Sequence, residues 1–177
     1  MKIDKNSYGT IALSWLISAA LTLLILKTIG MNAVGYTISV LVLLFSVFVT
    51  WFHRVPVRHT PEGDRIVTSG ADGKVVIIKK VYEKEYLKRE CMQVSVYMDF
   101  FNVHANFWPV TGKVSYYKYH PGRYLLAFLP KAAEENEHSS TAIDTGKEEI
   151  FFKQIAGTFA RRIVCYSQEG SEELRGV

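Results

Sequence analysis

The sequence predicts a mainly β protein, with antiparallel sheets in a sandwich-like arrangement, that carries an N-terminal transmembrane helical hairpin. One observation is a pair of long, uncharged, apolar runs within residues 1–52. The other is a series of short apolar runs, bounded by glycine, proline, aspartate or asparagine, in residues 66–177, which is typical of strands and turns. We therefore expect a hairpin over 1–52, a juxtamembrane connector over 53–65 and a β-rich domain over 66–177.

Both apolar runs are long enough to cross a membrane. Residues 8–26 and 32–52 contain no charged side chain, and a helix of about 20 residues spans the roughly 30 Å of bilayer hydrocarbon. The intervening KTIGMN leaves room only for a tight turn at Gly30. A hairpin buried in a soluble core is disfavoured because apolar residues cover every helix face. A signal peptide is disfavoured because neither run has a small-residue cleavage site before a long mature region.

Basic residues flank the hairpin unequally. Lys2 and Lys5 precede it and Arg54 and Arg58 follow it, whereas the turn holds only Lys27. Because cytoplasmic flanks carry the excess of Lys and Arg, we expect both ends, and the β domain, on the cytoplasmic face of the inner cell membrane. The connector HRVPVRHTPEGDR is either an extended segment at the lipid headgroups or an ordinary solvated linker.

Composition excludes several classes of function. Of 21 basic and 17 acidic residues, 18 and 16 lie outside residues 1–52, and this balance gives no electrostatic case for nucleic-acid binding. Cys91 and Cys165 are the only cysteines and have no CxxC spacing, so neither a metal site nor a disulfide framework is predicted. No GxSxG motif and no glycine-rich phosphate loop is present.

The clearest strand is predicted over residues 92–100, where the even positions are all apolar, the period of a half-buried strand. Residues 83–90 could form a short helix or a loop, and 131–137 shows weak helical periodicity. Within AAEENEHSS, three glutamates and an asparagine are typical of a solvated loop. The other predicted strands are 66–67, 75–81, 114–119, 124–129 and 150–166.

The candidate site follows the strand over 92–100. Asn102, His104 and Asn106 occupy alternate positions before Trp108 and a PVTG turn. His104 either satisfies hydrogen bonds near a strand end or accepts a proton. Asp72, in TSGADGK, is first of all part of a hairpin-turn signal, but a carboxylate that orients an imidazole makes it a competent base. Asp72 and His104 are therefore the candidate catalytic pair.

Six blocks behind the hairpin carry a family resemblance: WFHRVPVR, IVTSGADGKV, FFNVHANFWPVTGKV, HPGRYLLAF, KAAEENEHS and QIAGTFARRIV. In this order they resemble the short, bacterial and archaeal type of phosphatidylserine decarboxylase, over about residues 51–170. The aspartate of the family's ADG motif and the histidine of its NVHxN motif are catalytic. The resemblance therefore implies catalytic roles for Asp72 and His104.

The resemblance also implies a cofactor. A proenzyme of this family cuts itself before the serine of a Gly-Ser pair, and that serine becomes a pyruvoyl group. The pyruvoyl group forms a Schiff base with the amine of phosphatidylserine and accepts the electrons released when carbon dioxide leaves, giving phosphatidylethanolamine. The implied partners are phosphatidylserine, membrane lipid and a C-terminal pyruvoyl (α) subunit, with a homo-oligomer possible.

The chain departs from the family at the serine. Gly170-Ser171 is the only Gly-Ser pair, it follows the ARRIV block closely and it lacks apolar neighbours. We therefore expect the pyruvoyl serine to lie beyond Val177, in a C-terminal segment that this truncated proenzyme or fragment lacks, and we expect the chain alone to be inactive. The alternative is a non-catalytic, membrane-anchored module that binds lipid or a partner. Candidate phosphate-binding cations are Arg54, Arg58, Lys74 and Lys113.

Overall fold

A computed structural model describes residues 2–63, 65–126, 129 and 131–177. The fold consists of two units. The first comprises Met1–Val57 with Val103–Ala105, and the second comprises Arg58–Asn102 with Asn106–Val177.

The first unit is built on the predicted helical hairpin. Helix α1 spans Tyr8–Thr28 and helix α2 spans Ala33–Phe52, and both are long and apolar enough to cross a membrane. Asn32 begins α2, because its side-chain oxygen accepts a hydrogen bond from the Gly35 amide over 3.0 Å, the usual capping bond at a helix start. Gly35 also permits the tight turn, since a β-carbon there would lie 2.2 Å from the carbonyl oxygen of Gly30.

Hydroxyl groups join the two helices. The Oγ atoms of Ser18 and Ser46 lie 2.7 Å apart, and Ser46 also donates to the carbonyl of Ser14 over 3.0 Å. Nearer the open end of the hairpin, the indole of Trp15 donates to Thr50 Oγ1 over 3.1 Å. Small polar residues let helices approach closely and hydrogen-bond to each other within lipid. The hairpin therefore satisfies these polar groups internally.

A short ladder holds the two ends of the hairpin together. Strand β1, Lys2–Ile3, pairs antiparallel with strand β2, Arg54–Val55. The amide of Asp4 adds a hydrogen bond to the carbonyl of His53 over 3.3 Å. The residues before α1 and those after α2 consequently lie on the same side of the hairpin.

The second unit contains two antiparallel sheets. The elements are β3 Lys74–Tyr82, β4 Glu90–Tyr97, β5 Gly112–His120, α3 Ala132–Glu135, β6 His138–Asp144, β7 Glu149–Ile155 and β8 Glu172–Glu173. Strand β3 pairs with β4 in one sheet, and the strand order in the other is β7-β6-β5-β8. The predicted strands over 75–81, 92–100 and 114–119 are confirmed as β3, β4 and β5, with shifted ends.

The apolar core of the second unit lies on the four-stranded sheet. Val110, Val114 and Ile143 are buried, and the rings of Trp108 and Phe152 pack against them. These two rings meet edge to face with their centroids 5.5 Å apart, a favoured geometry for aromatic pairs. The predicted PVTG turn therefore delivers Val110 into the core directly before β5 begins.

Two strand predictions are wrong: one predicted strand is absent and another is much shorter than predicted. Residues 66–67 form no strand. Their neighbour Thr68 instead donates both its amide, over 3.0 Å, and its hydroxyl, over 3.1 Å, to the carbonyl of Pro109. The run over 150–166 is a strand only as far as Ile155. It ends because the amide of Ala156 turns to the carbonyl of Glu137 and the amide of Gly157 bonds to the carbonyl of Ala160.

Two other strand boundaries also differ. Strand β4 ends at Tyr97, because the carboxylate of Asp99 accepts the amides of Phe101 and Asn102 in a turn. Of the strand predicted over 124–129, residues 127 and 128 lie outside the described residues, and 124–126 lie in no strand. The side-chain amide of Asn136 occupies the backbone groups of Leu125 that would otherwise pair in a sheet.

The segment interpreted as a solvated acidic loop is exposed only in part: Ala133 and Glu134 lie at the surface on α3, whereas the residues from Asn136 onwards are buried. Asn136 is 1 % exposed and Glu137 5 % exposed, and strand β6, which the sequence did not predict, begins at His138. Burial is tolerated because each polar group has a partner. Glu137 accepts a 2.5 Å hydrogen bond from the hydroxyl of Tyr124.

Candidate functional site

Asp72 lies in a loop that is held from both sides. The amide of Phe107 donates to the carbonyl of Gly70 over 2.8 Å, and Ser69 closes the loop on itself through a 2.6 Å hydrogen bond to the carbonyl of Ala71. The loop leads directly into β3. Asp72 is therefore not the turn of a β-hairpin, and its carboxylate extends from a segment fixed by backbone bonds.

The glycine after Asp72 is required by the backbone. Gly73 has a φ of +155°, and a β-carbon on it would lie 2.2 Å from the carbonyl oxygen of Tyr97 on the neighbouring strand. A side chain at this position would push β3 away from β4. The ADG motif thus combines a carboxylate with the residue that allows its loop to approach the sheet.

Arg58 is the ion-pair partner of Asp72. Its guanidinium group binds the carboxylate directly, and about a third of each side chain is exposed. The same guanidinium group lies 5.5 Å from the centre of the Phe107 ring, a distance suited to a cation–π contact. Sequence analysis suggested Arg58 as a possible phosphate ligand and did not predict its ion pair with Asp72. The positive charge of Arg58 was the only feature of the sequence that pointed to such a pair.

His104 belongs to the first unit, together with Val103 and Ala105. Its ring stacks at 32° on the ring of Phe52, with the centroids 4.3 Å apart, and Val103 beside it is 5 % exposed. The imidazole is therefore positioned by the last residue of α2. Of its two flanking asparagines, Asn102 accepts the amide of Asp99 over 2.8 Å and so shapes the turn after β4, whereas Asn106 is exposed.

The pairing of Asp72 with His104 stays a prediction, because the two residues belong to different units. The chain segment just after His104 is hydrogen-bonded to the loop that carries Asp72. The segment that follows His104 supplies the amide of Phe107 and the carbonyl of Pro109, and these bond to Gly70 and Thr68 in the Asp72 loop.

The remaining quoted blocks meet at Asn136. Its side chain accepts the amide of Leu125 over 2.9 Å, and it donates to the carbonyls of Leu125 over 2.9 Å and Ala156 over 2.8 Å. It thereby connects the HPGRYLLAF, KAAEENEHS and QIAGTFARRIV segments. Beside it, hydrogen bonding to Glu137 raises the pKa of the Tyr124 hydroxyl, and burial adds to the increase. Sequence analysis missed this structural role of Asn136 because the neighbouring glutamates are typical of a solvated loop.

Gly170-Ser171 is held in a turn. The amide of Gly170 donates to the carbonyl of Val114 over 2.8 Å, and the carbonyl of Ser171 accepts the Val114 amide over 2.9 Å. The hydroxyl oxygen of Ser171 accepts the Gln168 amide over 3.1 Å. The backbone of Gly170 and Ser171 is therefore hydrogen-bonded to Val114 near the start of β5, which is a structural role.

The other candidate cations have different surroundings. Arg54 lies over the ring of Trp51, 3.5 Å from its centre, in the first unit. Lys74 begins β3 opposite Tyr97, and Lys113 lies in β5 between Asp144 and Glu172 in register. The structure does not bring Lys74 or Lys113 into the Arg58–Asp72 ion pair.

Comparison with known proteins gives a consistent result. A sequence model of the family described as phosphatidylserine decarboxylase matches residues 45–176. The chain is 46 % identical over 140 residues to the phosphatidylserine decarboxylase proenzyme of Syntrophus aciditrophicus, covering 78 % of this chain and 66 % of that protein. It is 38 % identical over 173 residues to the proenzyme of the same name from Porphyromonas gingivalis, covering 96 % of this chain and 78 % of that protein.

A proenzyme of the same name from Amoebophilus asiaticus is 38 % identical over 99 % of this chain and 79 % of its own length. The chain thus spans about two thirds to four fifths of these three relatives. The matched family region includes Asp72, His104 and the segments that meet at Asn136. The chain belongs to the phosphatidylserine decarboxylase family.

Proposed function

We propose that this chain is the large-subunit region of a phosphatidylserine decarboxylase, which converts phosphatidylserine into phosphatidylethanolamine and carbon dioxide. The observation that carries the proposal is the Asp72 loop, which is fixed by hydrogen bonds to the segment directly after His104 in a chain that belongs to this family. We assign His104 the transfer of protons and Asp72 the orientation of the imidazole, as in other carboxylate–imidazole pairs.

The donor set suits a pyruvoyl cofactor. An imidazole and a carboxylate are acid–base groups, and the formation of a keto group from a serine requires removal of the hydroxyl proton, protonation of the displaced amide nitrogen and removal of the Cα proton. A pyruvoyl group supplies a carbonyl that can take up the electrons of a departing carboxylate. The residues of this chain would act on protons: His104 would accept and donate them, and Asp72 would orient the His104 ring.

Ser171 does not fit the position of the processed serine. Its hydroxyl oxygen accepts the Gln168 amide, and the backbone on both sides of the Gly170–Ser171 bond is paired with Val114. We therefore propose that the serine comes from a C-terminal pyruvoyl (α) subunit, and that this polypeptide as it stands neither cuts itself nor releases carbon dioxide.

Membrane anchoring belongs to the same proposal. The pairing of β1 with β2 keeps both ends of the hairpin on one side, and the basic flanking residues Lys2, Lys5, Arg54 and Arg58 support a cytoplasmic location for that side under the positive-inside rule. We assign the protein to the inner membrane, with its β domain at the cytoplasmic lipid surface, where phosphatidylserine is within reach.

The test is to co-express the chain with the C-terminal segment of the Porphyromonas gingivalis relative, in membranes that contain phosphatidylserine. We expect carbon dioxide and phosphatidylethanolamine from the pair, a pyruvoyl terminus on the added segment by mass spectrometry, and neither from the chain alone. Asp72→Asn and His104→Gln should each abolish both products, whereas His59→Gln in the exposed connector should not.

The alternative is a non-catalytic module that binds lipid or a partner, and the structural pairing of Gly170-Ser171 favours it for the isolated chain. In that case the co-expressed pair would yield no phosphatidylethanolamine, although the chain would still bind phosphatidylserine vesicles. Full activity of the His104→Gln variant would contradict the assigned role of His104 and leave the family membership intact.

A further inference from the structure

We propose that Glu85, His120 and His138 form a binding site for one divalent transition-metal ion of the Zn²⁺ type. Each residue offers one ligand atom, and the three atoms lie within 4.8 Å of one another. Two imidazole nitrogens and a carboxylate oxygen are ligands that Zn²⁺ accepts, with water completing a four-coordinate site. None of the three residues belongs to the proposed catalytic pair, so this inference does not depend on the proposed function.

His138 is already oriented as a ligand. The residue is 8 % exposed, and its Nδ1 lies 2.8 Å from the carbonyl oxygen of Asn136. Because a carbonyl can only accept, Nδ1 is the donor, and in the neutral imidazole the lone pair is then on Nε2. A hydrogen bond from the second ring nitrogen to a carbonyl is the usual support of a metal-binding histidine.

Glu85 and His120 already share a proton where the ion would bind. His120 Nε2 lies 2.7 Å from Glu85 Oε1. Burial raises the pKa of Glu85, but hydrogen bonds from Lys153, His120 and Ser140 outweigh it and lower the pKa to about 2. The carboxylate is therefore ionised at neutral pH. For a metal ion to take the place of the proton between these two atoms, His120 would bind it through Nε2 in the tautomer that carries its proton on Nδ1.

The second oxygen of Glu85 is occupied. Oε2 lies 2.7 Å from the ammonium group of Lys153 and accepts a 3.0 Å hydrogen bond from Ser140. Glu85 would therefore bind the ion through Oε1, which also accepts a 3.2 Å hydrogen bond from the hydroxyl of Tyr116. The nearby positive charge opposes a cation, so removal of the Lys153 charge should strengthen metal binding.

The two rings must separate when the ion binds. His120 and His138 are stacked at 13° with centroids 4.3 Å apart, whereas a metal–nitrogen bond lies in the plane of its imidazole. The side chain of His120 is 24 % exposed, so His120 is the ring that can rotate towards the ion. Coordination would then join the turn after β3, which carries Glu85, to the last residue of β5 and the first of β6.

The test is calorimetric titration of the full-length chain, in detergent micelles and without a histidine tag, with Zn²⁺ alone. We expect one equivalent to bind and the melting temperature to rise, because an ion that binds only the folded state stabilises it. His120→Gln and Glu85→Gln should weaken binding at least about tenfold, the scale seen for lost metal-site partners. Lys153→Met should tighten it, and His59→Gln should leave it unchanged.

Glu85 also has a structural role, so circular dichroism must show that each variant is folded. If Glu85→Gln unfolds, the His120→Gln variant, at a less buried position than His138, decides. Absence of stoichiometric Zn²⁺ binding by the wild-type chain overturns the proposal. So does binding that a folded His120→Gln variant retains in full, or a Co²⁺ complex whose absorption shows thiolate ligation and is lost in Cys165→Ser.

Discussion

The imidazole of His120 donates a hydrogen bond from Nε2 to Oε1 of Glu85 over 2.7 Å, and so ties the turn between β3 and β4 to the end of β5. Glu85 also accepts hydrogen bonds from Ser140 on β6 and Tyr116 on β5, and it forms an ion pair with Lys153 on β7. One carboxylate thus connects the two-stranded sheet to three strands of the four-stranded sheet.

Replacement of Glu85 with glutamine should destabilise the second unit. The amide cannot accept as many hydrogen bonds as the carboxylate and leaves Lys153 without its counter-charge. We expect the free energy of unfolding to fall by about 2 kcal/mol, the scale of lost hydrogen bonds to charged groups. Urea unfolding in detergent micelles measures this. Glu148→Gln, at an exposed position in the turn before β7, is the matched control, and equal stability of the two variants would contradict the prediction.

The free energy of unfolding should also fall at low pH, when Glu85 becomes protonated. The folded-state pKa is about 2, against an ordinary value of 4.5. A carboxyl group with a lowered pKa contributes stability that is complete above its unfolded-state pKa and is lost as the pH falls towards the folded-state value. Unfolding free energies should therefore decline between about pH 4.5 and 2. The Glu85→Gln variant should show a shallower decline, and identical slopes would refute this assignment.

Alanine at Gly73 should be far more damaging than alanine at Gly146. Both glycines have positive φ, +155° and +79°, but a β-carbon at Gly73 would lie 2.2 Å from a backbone oxygen, while one at Gly146 meets nothing within 4 Å. We expect a loss of about 1 kcal/mol at Gly146 from backbone strain alone, and a loss at Gly73 above about 2 kcal/mol. Thermal unfolding of the two variants measures the difference, and similar melting temperatures would show that β3 and β4 can separate freely.

Arg58→Gln should affect catalysis more than stability. The ion pair with Asp72 is about one third exposed, and exposed pairs contribute less than about 1 kcal/mol. If Arg58 holds the Asp72 carboxylate, the co-expressed enzyme should lose kcat with little change in KM, and Arg58→Lys should restore part of it. A raised KM with unchanged kcat would instead assign Arg58 to the lipid phosphate. Steady-state assays with phosphatidylserine in mixed micelles separate the two outcomes.

Sequence patterns predicted those elements whose environment is uniform. The two helices are apolar on all faces, so length and composition were sufficient to predict α1 and α2. The alternation in residues 92–97 correctly predicted strand β4, but not which face is buried, because the apolar Met92 and Val94 lie on its more exposed face. The ends of such strands were less predictable, since side chains such as Asp99 terminate them.

Strand β6 could not be predicted, because its burial depends on partners remote in sequence. His138, Ser139, Ser140 and Thr141 are polar yet buried, and Ser140 is satisfied by Glu85, 55 residues earlier. The same limit applied to the candidate site. Asp72 and His104 were identified from motifs, whereas the partner of Asp72, Arg58, became apparent only when the folded chain placed the two together.

The shared hydroxyls of the helical hairpin have a consequence for insertion. Each helix alone would take a serine hydroxyl into hydrocarbon, where an unsatisfied polar group costs several kcal/mol. The Oγ atoms of Ser18 and Ser46 lie 2.7 Å apart, and each also donates to a carbonyl of the other helix, so a membrane-spanning hairpin would enter the bilayer at lower cost than the two helices taken one by one. Biogenesis should therefore favour delivery of both helices to the lipid as a preassembled unit.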